Sequence, residues 1–258
     1  MKLMLDGVET EVEIERFLVD PTGEAIYVPC VGGRSMSEHA AHHYVQCVFH
    51  DQYGIKDSIE PGMVVLDVGA SIGMFTMAAS RMGAKVVAFE PNPVDRLALS
   101  ALAESMGDAD ITIRPEAVSD EVGAIRMALS DVPGSSKPVA SGNDRLNMLN
   151  TDTAEGATSQ VPCTTVDAIV REMGLERIDI IKVDTEGWEK RVLVGARKTL
   201  REHGPLLLVA SYHRPEDPQV LPELVRQLAP RYGPAEHPPL RAPECEYSIR
   251  MKPRRDRS

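Results

Sequence analysis

In the stretch "VVLDVGASIGMFTMAASRMG", Val64 to Gly83, the residues with types suited to meeting a ligand are Asp67, Gly69, Ala70, Ser71 and Gly73. An apolar run ending in a carboxylate, then glycines, then a segment of helical periodicity reads as strand, turn and helix. Gly69 can take a conformation closed to other residues, and it shows a ligand no side chain. Gly73 opens the helix, whose first N–H groups carry partial positive charge. The next apolar run, "KVVAFE", ends in Glu90, 17 residues beyond Gly73. A carboxylate at the end of a second strand is placed to accept hydrogen bonds from both hydroxyls of a ribose, and it would repel a 2′-phosphate. The spacing from Gly69 to Gly73 is GxxxG, whereas a dinucleotide site wants GxGxxG. Asp67 would oppose a diphosphate and suits a nucleoside carrying an ammonium and a sulfonium, which is S-adenosylmethionine. A dinucleotide, and a turn that only packs helix on strand, are the competing readings.

A sheet must position these residues, and the chain alternates accordingly. "MVVLDVG", "KVVAFE", "ADITIRPEAV", "IDIIKVD" and "PLLLVASY" read as strands. "VDRLALSALAESMG", "TTVDAIVREMG", "GWEKRVLVGARKTLREHG" and "QVLPELVRQLAPRYG" read as helices, and "CEYSIRMK" alternates like a half-buried strand. Such alternation predicts an α/β fold, a doubly wound and mostly parallel sheet with helices on both faces. Residues 1–60 read as a helical or irregular extension, with a Gly32-Gly33 break and a helix from about Ser37 to His50. Ser119 to Gln160 interrupts the rhythm and reads as an inserted hairpin or loop, too long for a plain connection.

The chain's 258 residues, 43% hydrophobic, suffice to bury a core without staples. A formal net charge of −11 argues against a nucleic-acid backbone or an anionic membrane as the main partner. Cys30, Cys47, Cys163 and Cys245 form no CxxC pair, which predicts reduced thiols in a cytoplasmic protein. No apolar stretch approaches the roughly 20 residues that span a bilayer. The basic ending "KPRRDRS" reads as a solvated tail.

With these residues in view, the sequence resembles the class I S-adenosylmethionine-dependent methyltransferases, and more narrowly the FkbM family. "VVLDVGASIGMFT" is similar to that family's first motif and "VVAFEPNP" to its second. "TTVDAIV", "IDIIKVDTEGWEKRVLVGA" and "SYHRPED" are similar to its later signatures, so the likeness runs from about Pro61 to Pro218. The resemblance implies a seven-stranded sheet, S-adenosylmethionine as cofactor with S-adenosylhomocysteine as product, and a small-molecule acceptor. A homo-oligomer is compatible with it. It implies that Asp67, Gly69, Ala70, Ser71 and Gly73 cradle the methionine end, although the family commonly has asparagine where this chain has Ser71. Glu90 would hold the ribose, Asn92 would lie near adenine or ribose, and Glu116 and Ala117 would flank the adenine. Asp184 would face the methionine ammonium and the methyl group. The acceptor would be read by residues 1–60 and by the Ser119–Gln160 insertion. Transfer to a hydroxyl of a small metabolite, sugar or polyketide-type product follows from the family alone; nitrogen acceptors, and a cofactor-binding module without catalysis, would share these motifs.

A hydroxyl nucleophile gains from losing its proton. Asp184 and His213, at the ends of the fourth and fifth predicted strands, are the candidate bases. His213 could instead hold "HRPED" against the sheet, and Glu186 could serve only the start of the following helix. Trp188 reads as a packing residue. His39, His42 and His43 share a helix face compatible with a metal, but no further ligand is evident, so no metal is expected.

Overall fold

In the computed structural model, which describes residues 1–5, 8–18, 25–128, 136–138, 159–236 and 248–254, the chain opens as an antiparallel meander. Strands β1 (Lys2–Leu5), β2 (Val8–Leu18), β3 (Ala25–Val31) and β4 (Arg34–Ser35) pair in that order. The helical or irregular extension expected for residues 1–60 is thus corrected: helix begins only at α1 (Ser37–Tyr44), which a π turn over Val45–Phe49 extends. The reason lies in an alternation along β2, where Val12 is buried between the exposed Glu11 and Glu13. Gly32 and Gly33 form the two-residue turn that returns β3 to β4.

The alternating part then unfolds as β5 (Val64–Val68), α2 (Met74–Arg81), β6 (Lys85–Phe89), α3 (Pro93–Ser105) and β7 (Ile111–Arg114). Next come β8 (Ala117–Val118), β9 (Gly123–Ala128), β10 (Lys137–Pro138), β11 (Ser159–Thr164) and α4 (Val166–Glu172). The chain continues through β12 (Ile180–Val183), α5 (Glu189–Gly195), α6 (Arg197–Glu202), β13 (Leu206–Ala210), α7 (Asp217–Leu228) and β14 (Ser248–Met251). The central sheet has the order β14-β13-β12-β5-β6-β7, and every neighbouring pair is parallel except β13 with β14. The doubly wound class holds, but among the described residues this sheet has six strands, not seven. Pro115 has no N–H to give a ladder. Beyond it "ADITIRPEAV" divides, and β8 leaves to join a small sheet ordered β10-β9-β11-β8. That small sheet is the described part of the insertion; residues 129–135 and 139–158, like Cys245 and the end of the basic tail, lie outside the described residues.

Both faces of the central sheet are covered. Leu66, Val68, Val87 and Phe89 pack on one side with Ile169, Leu193 and Leu221. Val65, Val86 and Ala88 pack on the other with Phe75, Ala79 and Tyr53. The meander closes over α2 and α3 through Ile26, Val28, Met77 and Leu102. Among the described residues no helix is long and apolar enough to cross a membrane.

Strand order reverses between β5 and β12, and there the two strand ends touch. A Cβ on Gly69 would sit 1.8 Å from the carbonyl oxygen of Asp184, so only glycine lets them meet. Just inside this junction lies a buried ion pair. Parallel pairing sets Lys182 beside Asp67. The Lys182 ammonium lies 3.1 Å from Asp67 Oδ1 and donates to the Gly69 carbonyl at 2.5 Å. Thr76 of α2 donates to Asp67 Oδ2 at 2.6 Å. The two charged side chains are 5% and 0% exposed, so neither has water to fall back on. Removing one partner strands the other. Lys182→Met should therefore lower the unfolding free energy by about 3–5 kcal/mol, and adding Asp67→Asn should recover part of the loss. Urea denaturation of the single and double variants checks this; a single variant as stable as the wild type would contradict it.

Candidate active site

The C-terminal ends of β5, β6 and β12 open into one cavity, where a ligand is expected in a sheet of this kind. Its walls include Gly69, Ala70 and Ser71 from the turn, Glu90 beyond β6, Glu116 between β7 and β8, and Ala117 of β8. Asp184, Thr185 and Glu186 come from the end of β12, and His42, His43, Gln46 and Cys47 come from α1 and its π turn. Ile125 and Met127 of β9 add apolar surface.

The turn is built on Glu90. Its Oε2 accepts the Ser71 N–H at 2.8 Å and its Oε1 accepts the Asn92 N–H at 2.8 Å. Burial pushes the Glu90 carboxyl up to about 7, against these two N–H donors and the positive field of Lys182 and Arg96. Ser71 sits at φ +48, in the left-handed region that asparagine also tolerates well.

Several expected contacts are corrected. Asp67 is not in the cavity wall. It is the fourth residue of β5, so it shares a face with Val65 and points beneath α2, where Lys182 and Thr76 hold it. Gly73 faces away as well: a Cβ there would lie 2.6 Å from Leu99 of α3, and its role is close helix packing. Asn92 caps α3, accepting the Val94 N–H at 2.9 Å and donating to Ser136 at 2.8 Å. Glu116 reaches the wall, but Arg114 clamps its carboxylate at 2.5 and 3.1 Å. Gly69, Ala70, Ser71, Glu90, Ala117 and Asp184 are brought together as expected.

Asp184 is held by two tyrosines absent from the sequence-based expectation. Tyr53 donates to Oδ2 at 2.6 Å, and Tyr212 donates to the carboxylate at 3.1 and 3.2 Å. Burial alone would raise the Asp184 carboxyl, but Lys182, His213 and the two phenols outweigh it and hold it below the ordinary value. Asp184 is therefore a standing negative charge and a weak base. Tyr53 is fully buried, and burial together with the Asp184 charge keeps its phenol neutral and donating.

His213 stands behind Asp184 and is 10% exposed. Its Nε2 is 3.6 Å from Asp184 Oδ1 and 3.5 Å from Glu186 Oε1, while Nδ1 is 3.0 Å from Glu189 Oε1. Burial would lower its pKa, but contacts with Glu186 and Glu189 and the Asp184 charge push it up to about 11. As arranged here the ring holds its proton, so the general-base role expected for His213 does not follow. Glu189 is buried under the same loop and accepts the Thr185 N–H at 2.9 Å. Glu186 sits at φ +56, a conformation costing a non-glycine residue on the order of 1 kcal/mol. Trp188 packs as expected, 6% exposed, and donates to Ser119 at 3.0 Å.

Comparison with known proteins adds the following. Residues 67–234 match the model of the methyltransferase FkbM domain. The chain is similar to the 31-O-demethyl-FK506 methyltransferase FkbM of Streptomyces tacrolimicus, with 34% identity over 171 residues that make up 57% of this chain and 65% of that protein. It is also similar to the 2-O-methyltransferase NoeI of Sinorhizobium fredii, with 29% identity over 150 residues, 55% of this chain and 60% of that protein. The chain thus spans less than two thirds of the length of these relatives. Among solved structures, the methyltransferase FkbM from Methylobacillus flagellatus shares the fold at a TM-score of 0.52 and 16% identity, over 84% of this chain and 54% of that one.

The cavity carries its own reporter. Cys47 is half-buried in the wall, whereas Cys30 and Cys163 are buried, and burial pushes the Cys163 thiol up to about 11. Iodoacetamide should label Cys47 well before Cys30 and Cys163, and a ligand filling the cavity should slow that labelling. Peptide mass spectrometry reads the order; Cys163 reacting as fast as Cys47 would contradict the placement.

Proposed function

The chain belongs to the FkbM methyltransferase family, and from that premise we propose that it transfers a methyl group from S-adenosylmethionine to a hydroxyl oxygen of a small metabolite, sugar or polyketide-type acceptor in the cytoplasm. The observation that carries the cofactor is the charge of the cavity. Glu90, Asp95, Glu116, Asp184 and Glu186 line it, and among the described lining residues Lys182 is the only lysine or arginine. That lysine is already committed to Asp67 and the Gly69 carbonyl. Such a wall repels a diphosphate and attracts a nucleoside bearing ammonium and sulfonium charges. The carboxylates that set this charge include Asp184 and Glu90, whereas Asp67 is not among the lining residues.

Bound there, S-adenosylmethionine supplies a methyl group already activated on sulfur. The protein's part is to hold and orient. Ionised Glu90 has acceptor capacity left on both oxygens for ribose hydroxyls while it keeps the turn's N–H groups. Gly69 to Ser71 let backbone approach the methionine end, and the field of Asp184 favours its positive charges. Ala117, Val118, Ile125 and Met127 offer an apolar slot for a purine. His42, His43 and Gln46 also line the cavity and are the acceptor-reading candidates. Oxygen as the accepting atom is supported by the names of two relatives, which specify transfer to oxygen.

Calorimetry with S-adenosylhomocysteine and with NAD separates this reading from a dehydrogenase; binding of NAD alone would overturn it. Incubating S-adenosylmethionine with hydroxylated and with amine acceptors, and looking for the mass gain of one methyl group, tests the oxygen. Glu90 gives a pH signature. Its carboxyl lies at about 7, and only the ionised form accepts from both ribose hydroxyls. S-adenosylhomocysteine should therefore bind about tenfold more tightly at pH 8 than at pH 6, and Glu90→Ala should remove most of the affinity and its pH dependence.

A further inference from the structure

Transfer to a hydroxyl gains from drawing off its proton. Asp184, Glu186 and His213 form an arrangement with such a use. One oxygen of Asp184, one of Glu186 and one ring nitrogen of His213 all lie within 4.8 Å of one another. The geometry points to a divalent-cation site formed by Asp184, Glu186 and His213 at the cavity wall beyond β12.

Distances favour ligands around a common ion over hydrogen bonds. Nε2 stands 3.6 Å from Asp184 Oδ1 and 3.5 Å from Glu186 Oε1, too far for good hydrogen bonds. Two donor atoms each about 2.1 Å from a cation are about 3.0–3.6 Å apart when they subtend about 90–120°. Both ring nitrogens are buried, and neither makes a hydrogen bond among the described residues. A buried polar atom aimed between two carboxylates is the independent sign that something else belongs there. The far side of the ring supports this. Glu189 Oε1 lies 3.0 Å from Nδ1, which sets a carboxylate beside the ring's other nitrogen. Asp184 and Glu186 line the cavity, so an ion held with His213 behind them would lie at the cavity wall.

Two carboxylates and one imidazole suit a hard or borderline divalent ion such as Mg2+ or Mn2+, with waters or the acceptor oxygen completing the shell. As the cation enters, the imidazolium proton leaves and the ring becomes a neutral ligand. An acceptor hydroxyl bound to the ion then breaks its O–H bond more easily. The electron pair stays on the coordinated oxygen and the proton passes to solvent water. That supplies activation of the hydroxyl. This role rests on the methyl-transfer reading, whereas binding of the cation does not.

The test is titration of the full chain with Mn2+, followed by calorimetry and by the electron paramagnetic resonance of the free ion, with Mg2+ as competitor. The expected result is saturable binding that Mg2+ reverses, weakened at least about tenfold in Glu186→Gln and in His213→Gln. Glu186 is at the rim, its side chain 26% exposed, so its variant keeps the test open should His213→Gln fail to fold. No binding to the wild type at about 1 mM Mn2+, or unchanged binding to Glu186→Gln, would overturn the site. S-adenosylhomocysteine is titrated in parallel. Its binding without Mn2+ binding sinks the cation site alone; Mn2+ binding without it sinks the methyl-transfer reading and supports the cation site.

Discussion

A lysine and an aspartate on adjacent strands, both sealed from water, hold the two halves of the molecule in register. The Asp67–Lys182 pair spans the boundary where the sheet reverses direction. Buried ion pairs seldom add much net stability over an apolar pair, so what this one contributes is placement. Lys182 also donates to the Gly69 carbonyl, which ties the turn after β5 to the strand that ends in Asp184. Thr76 extends the tie to α2. The glycine at position 69 allows the contact, and the charges fix it.

Around that knot the site divides its carboxylates by environment. Asp67 is neutralised below the cavity floor. Glu90 is loaded with two backbone N–H groups yet raised by burial, poised to respond to a partner. Asp184 is kept ionised by two phenols and nearby positive charge. Similar acidic residues on neighbouring strand ends thus become a structural charge, a responsive acceptor and a fixed anion. The loop "DTEGWE" adds strain at Glu186 and a buried Glu189 beneath it. Such conformations persist only where the surroundings over-determine them, and here Glu189 and Arg214 both grip the loop's backbone.

Much of this was legible in one dimension. The alternation of apolar runs and helical stripes gives the parallel sheet, and Gly69, Glu90 and Asp184 at strand ends give the rim of the cavity. Asp67 was misplaced because two residues before a turn is still strand, and strand parity sends its side chain to the helix-covered face. Asn92 was misplaced because a cap and a ligand contact look alike when only the residue type is known. The meander was written in alternating glutamates and valines but masked by its short, broken runs. Tyr53 and Tyr212 carry no local signal at all; Tyr53 is 131 residues from the carboxylate it binds. His213 was found by type and position, yet its three acidic neighbours come together only in the folded loop.

The π turn over Val45–Phe49 places Gln46 and Cys47 against the cavity, and it precedes residue 67, where the family likeness begins. One wall of the chamber is therefore furnished by a segment that lies outside the matched family domain. That wall can diverge without disturbing the sheet on which Gly69, Glu90 and Asp184 are mounted.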